Sequence, residues 1–192
     1  IEQILSSHSK IYGAGELDFL PKIIDKLGIK QPKNLEKYFI DIRNFYFDQI
    51  TRISNNYYII DKLPVNFRWI GIILNAFPEA KVIHIERNPM AVCWSNYKTS
   101  FVDYGMDFNL TQKDIAKYYS LYSDIMRFWN EKYKEQIFNI NYENFVQDFE
   151  KKTKKKLNYI DLKWEDEIKN YNRNKRPVRT ASFQQVREEI KK

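Results

Sequence analysis

The sequence predicts an α/β fold, a parallel sheet flanked by helices. Two observations carry this. Short β-branched runs alternate along the chain with segments whose apolar residues recur at helical spacing, the pattern of strand–helix–strand units. The run Val82 to Ile85 also leads within a few residues to Pro89, and proline is favoured in the first turn of a helix, where its missing N–H costs nothing. At 192 residues the chain makes one domain, 1–192, with room for a sizeable core.

In chain order, IEQILSSH reads as the end of a helix. Gly13 and Gly15 predict a turn, and the segment from Leu17 to Leu27 a short helix interrupted near Pro21. Leu35, Tyr38, Ile42, Phe45 and Ile50 place a long amphipathic helix over residues 34–53. Asn55-Asn56 breaks it, and Tyr57 to Ile60 reads as a strand ending at Asp61-Lys62. Pro64 and Asn66 introduce a helix through about Phe77. The strand from Val82 and the helix from Pro89 follow. Thr111, with Asp114 three residues on, caps a helix whose stripe is Ile115, Tyr118, Tyr122, Met126 and Trp129. Ile137 to Tyr142 reads as a further strand, residues 143–159 as a basic helix, and Trp164 to Tyr171 as a short one. The stretch from Asn172 to Ala181 carries Arg173, Lys175, Arg176 and Arg179 and no core pattern.

The net charge of +7 suits an anionic cofactor or an acidic acceptor, and it equally suits nucleic acid, although charge alone makes nucleic acid the less favoured partner. The run Lys151 to Lys156 reads as a solvated helix face. The single cysteine, Cys93, excludes an internal disulfide framework and a cysteine-based zinc site. It reads as a small core residue, and its isolation fits a cytoplasmic location. The apolar runs are far shorter than a membrane span.

Chemistry concentrates around Arg87. In open α/β sheets ligands bind at the carboxyl ends of strands. An arginine there offers a bidentate fork for phosphate, and Ser95, two turns into the next helix, adds a hydroxyl. Arg87-x-Pro89, Ser95 eight residues after the arginine, and then Phe101 resemble the 3′-phosphate-binding motif of the sulfotransferases. Those enzymes take the sulfuryl group from 3′-phosphoadenosine-5′-phosphosulfate (PAPS) and release 3′-phosphoadenosine-5′-phosphate (PAP). DKLPVNFRWIGIILNAFPEAK, NYENF and VRTASFQQVR extend the resemblance to the bacterial branch often fused to tetratricopeptide repeats, itself similar to protein-tyrosine sulfotransferases.

The resemblance implies the P-loop-NTPase-like form of the fold and a set of roles. Arg87 and Ser95 would anchor the 3′-phosphate, and Tyr142 would help hold the adenine. Arg179, with Thr180, Ser182 and Arg187 nearby, would approach the cofactor. Lys62 would contact the transferring sulfuryl group. Glu16 matches the general base, a task a carboxylate performs when burial makes it more basic. His8 and His84 are competing bases. No metal is implied, because side-chain cations can meet the developing charge. The acceptor would be a hydroxyl of a protein tyrosine or a carbohydrate.

One expected element does not occur in the 192 residues: the Pro-Arg-Ser-Gly-Thr loop that holds the 5′-phosphosulfate through backbone N–H groups and a helix N-terminus. The reading is therefore a domain truncated at both ends, weakly active or inactive by itself. Two other functions stay open. A P-loop kinase would need a GK[ST] loop, which does not occur either. A non-catalytic basic module would bind nucleic acid or another polyanion through Lys151–Lys156 and the Arg173–Arg179 stretch.

Overall fold

A computed structural model describes residues 1–28, 32–99, 107–174 and Glu188. The strands are β1 (Ile11–Gly15), β2 (Tyr58–Asp61), β3 (Val82–Glu86) and β4 (Ile137–Asn141). They form two parallel pairs, β1 with β2 and β3 with β4. No ladder joins the two pairs among the described residues. Parallel neighbours need a long crossover. Helices α2 (Phe19–Leu27) and α3 (Leu35–Ile50) lie between β1 and β2 in sequence, and α4 (Ile70–Ala76) between the two pairs. Helices α5 (Pro89–Lys98) and α6 (Gln112–Lys132) lie between β3 and β4. Helix α1 (Glu2–Leu5) precedes the strands, and α7 (Tyr142–Gln147) and α8 (Phe149–Tyr159) follow them.

Strand alternation assigns the cores. Successive side chains of a strand point to opposite faces. Ile83, Phe138 and Ile140 accordingly join a cluster with Leu5, Phe145, Leu157 and Ile168, while Val82 and Ile137 join Ile70, Leu74 and Met126. Ile11 of β1 and Ile60 of β2 also pack into the first cluster, so both strand pairs share one core layer. A third cluster sits between α2, α3 and α4, centred on Leu20, Ile24, Tyr38 and Ile42. The α/β class with parallel strands flanked by helices is as the sequence predicts.

Several local readings need correction. Gly13 and Gly15 lie in a strand, not a turn. Pairing with β2 overrides the poor strand propensity of glycine, and the register shifts between Gly13 and Gly15. Gly15 has φ 77°, the left-handed region that a side chain rarely adopts. Pro21 does not interrupt α2, because it sits in the first turn, where backbone N–H groups have no intrahelical partner. The helix after Pro64 begins as a 3₁₀ turn, Pro64–Trp69. Tyr142 opens α7 and does not close β4: the Asn141 side chain caps the helix by accepting from the Asn144 N–H. The basic helix is two helices, broken at Asp148, whose φ of −137° and ψ of 63° are not helical. The lysine run is not wholly solvated either. Thr153 and Lys156 fall on the stripe that faces the core with Leu157, and Lys156 is 1% exposed. Cys93 is half-buried, on a helix none of whose ten residues is buried.

Candidate active site

Each strand is followed at once by a residue singled out from the sequence. Glu16 follows β1, Lys62 follows β2, Arg87 follows β3 and Tyr142 follows β4. The parallel registers pair Gly15 with Asp61 and Glu86 with Asn141, the last residue of each strand. Glu16 and Lys62 therefore leave one pair of strand ends side by side, and Arg87 and Tyr142 leave the other.

At the first pair, the Lys62 ammonium donates to Glu16 Oε1, and both side chains are about one-third exposed. The backbone around Glu16 is tied on both sides. Lys62 N–H donates to the Gly15 carbonyl at 2.7 Å, and Leu17 N–H donates to Asp61 Oδ1 at 3.4 Å. The other Asp61 oxygen accepts from the Tyr46 hydroxyl at 2.9 Å. Burial pushes Asp61 up to about 6, against these hydrogen bonds, which pull it down. Burial and the neighbouring carboxylate likewise raise Tyr46.

At the second pair, the Arg87 guanidinium lies over the Tyr142 ring, 5.1 Å from its centre. Among the described residues Arg87 makes no ion pair or hydrogen bond, although the Glu143 carboxylate is near enough to feel its charge. Glu143 is otherwise engaged. It accepts from the Asn88 N–H at 2.9 Å and from the Asn141 side chain at 3.2 Å, and the Asn88 bond does most to hold its carboxyl below the usual range. Asn88 caps α5 by accepting from the Ala91 N–H at 3.1 Å. At about 3.6 residues per turn, Ser95 comes round to the face of α5 that carries Asn88. Ser95 is exposed, and its hydroxyl makes no hydrogen bond among the described residues. Among the described residues, Arg87 at the carboxyl end of β3 and Ser95 on the helix that follows both leave hydrogen-bonding capacity unused, the kind of groups that can grip an anion.

The competing bases are occupied. His8 is 4% exposed; its Nδ1 accepts from the Lys10 N–H at 3.0 Å, so Nε2 donates to the Lys163 carbonyl at 3.1 Å. His84 is held between Asn139 Oδ1 at 2.7 Å and the Tyr122 hydroxyl. Arg179, Thr180, Ser182 and Arg187 lie outside the described residues. Sequence reasoning missed Asp61, Tyr46 and Glu143. The signal for Asp61 was present, an acidic residue closing an apolar strand next to Lys62, but its bond partners come from distant segments. Among the described residues, no group of three His, Cys, Asp or Glu side chains could hold a metal ion. No helix there is long and apolar enough to cross a membrane.

The arrangement is the P-loop-like fold of sulfotransferase domains. Two solved domains share it. The Sulfotransferase Domain from the Synechococcus PCC 7002 Olefin Synthase aligns with a TM-score of 0.66 and 18% identity, over 96% of this chain and 76% of that one. The Sulfotransferase Domain from the Curacin Biosynthetic Pathway aligns with a TM-score of 0.61 and 15% identity, over 87% of this chain and 70% of that one. Residues 1–166 match the Sulfotransferase family, and the chain belongs to it. An uncharacterized protein of Aquifex aeolicus (strain VF5) is 35% identical over 206 residues. That match takes in 98% of this chain, which spans 27% of the relative's length.

Proposed function

We propose that the protein is a PAPS-dependent sulfotransferase that modifies a hydroxyl of a protein tyrosine or a carbohydrate. The observation that supports it best is the placement of Glu16, Lys62, Arg87 and Tyr142, each directly after one of four parallel-paired strands. Bound PAPS supplies the sulfuryl group. Arg87 and Ser95 grip its 3′-phosphate; Tyr142, beside Arg87, faces the nucleoside, and Arg179 is assigned to the same ligand. Lys62 turns from Glu16 to the negative charge that develops during transfer, where a positioned cation contributes most. Release from Lys62 leaves Glu16 Oε1 open to take the acceptor's hydroxyl proton. The side-chain cations suffice without a metal. The activity belongs to the full-length protein, which we place in the cytoplasm.

Calorimetric titration of PAP into the full-length protein tests the reading. Arg87→Ala removes charge-assisted hydrogen bonds and should weaken PAP by about 10–100-fold. Ser95→Ala removes one neutral bond and should cost about 2–10-fold. No binding by folded wild type would overturn the proposal and favour the polyanion-binding module.

A further inference from the structure

We propose that Asp61, held by Tyr46, is a positioning residue that sets Glu16 against Lys62. The inference rests on the reading of Glu16 and Lys62 as the reacting pair. Glu16 sits where the regular β1 ladder ends. It follows Gly15, where the strand register has shifted and φ is 77°. Three contacts hold that segment. Glu2 Oε1 accepts from the Gly15 N–H at 2.8 Å, and the Gly15 carbonyl accepts from the Lys62 N–H at 2.7 Å. Asp61 Oδ1 accepts from the Leu17 N–H at 3.4 Å, the longest of the three and the one on the far side of Glu16. It holds the peptide directly after Glu16, one residue before Asp18 joins α2 by accepting from the Lys22 N–H at 3.1 Å.

Asp61 is in turn oriented by a rigid element. Its second oxygen accepts from Tyr46, whose ring meets Phe77 edge-on at 5.1 Å and Phe19 at 6.1 Å. Tyr46 belongs to α3, which the core between α2, α3 and α4 fixes. A continuous path therefore runs from α3 through Tyr46 and Asp61 to the backbone of Glu16, and Lys62 is Asp61's chain neighbour. A carboxylate is a costly residue to bury for packing alone. Its value here is geometric: one group accepts from Tyr46 and Leu17 at once, and so relates α3, β2 and the Glu16 segment.

The test uses full-length protein, with PAPS as donor and 4-nitrophenol as hydroxyl probe. Asp61→Ala and Tyr46→Phe should lower kcat by about 10–100-fold, the scale of a small misplacement of a reacting group. KM and PAP affinity should stay within about twofold, because neither residue holds the ligand. Asp61→Asn keeps an oxygen for Leu17 and should retain more activity than Asp61→Ala. Hydrogen exchange at the Leu17 amide should quicken in Asp61→Ala and Tyr46→Phe, a readout that needs no turnover. The double variant Glu16→Gln/Asp61→Ala should be no slower than Glu16→Gln alone, since Asp61 acts through Glu16. Losses that multiply, or an unchanged Leu17 exchange rate, would overturn the positioning role while leaving Glu16 and Lys62 in place. Wild-type turnover by Glu16→Gln would overturn the underlying reading as well.

Discussion

The Arg87 guanidinium carbon stands 5.1 Å from the centre of the Tyr142 ring. The two residues come from neighbouring strand ends in register, Glu86 opposite Asn141. The ring holds the cation without neutralising it, and among the described residues its hydrogen-bond donors are unused, as the proposed grip on the 3′-phosphate requires. Tyr142 is 37% exposed, and an exposed cation–π contact contributes roughly 0.5–1 kcal/mol. Tyr142→Phe should therefore leave PAP affinity nearly unchanged if the ring face is what matters. Tyr142→Ala should weaken it by about 2–5-fold through the looser arginine. Calorimetry on the two variants decides. Equal losses in both would move the role from the ring to the hydroxyl.

Gly71 in α4 is a packing glycine. A Cβ built there would lie 2.7 Å from Cη2 and 2.9 Å from Cζ3 of Trp129. The indole cannot easily yield, because its Nε1–H donates to the Phe67 carbonyl at 2.9 Å and its ring packs beside Tyr133. Alanine would gain up to about 1 kcal/mol of helix propensity. Overpacking costs about 1–3 kcal/mol and should win. Gly71→Ala should melt a few degrees below wild type, and an equal or higher melting temperature would show that α6 can shift to accommodate the methyl.

Lys156 is a buried lysine with no carboxylate partner among the described residues. It is 1% exposed, its ammonium lies 4.0 Å from the centre of the Phe145 ring, and it donates to the Lys152 carbonyl at 3.1 Å. Burial, more than the nearby Lys152, brings it down from 10.5 to about 8. An unfolded lysine keeps its proton to the higher value. Between about 8 and 10.5 the folded state binds fewer protons, so this residue makes stability rise as pH rises through that window. Below it both states are charged and the cost of burial is fully present. Lys156→Met keeps the stem's packing and removes the charge, and should add roughly 1–3 kcal/mol at neutral pH. Melting curves at pH 7 and near pH 10 should show the gain shrinking at the higher pH. A destabilised variant at pH 7 would mean that the contacts to Phe145 and Lys152 outweigh desolvation.

Much of the fold was legible because its signals are local. Thr111 reads as a cap and does cap α6, accepting from the N–H three residues on, and Asn34 and Asn88, not singled out as caps, do the same for α3 and α5. The alternation of strand and helix was correct in class. Where the reading failed, a distant partner outweighed local preference. Gly13 and Gly15 favour a turn alone and form a strand because β2 lies alongside. Tyr142 fits a strand by propensity, yet Asn141 uses its side chain to start a helix there. Lys156 looks solvated in a run of lysines, but its helix turns that position toward Phe145.

The sequence by itself determined the class of fold, the family motif and the chemical types at four of the sites, since these depend on residue identity and spacing. Tertiary structure alone decided which of them meet: Glu16 with Lys62, and Arg87 with Tyr142. It also brought Asp61 and Tyr46 to the backbone beside Glu16. The physical reason is that parallel strands pair only through long crossovers, so residues far apart in sequence become neighbours when register, bulge and core packing are settled together.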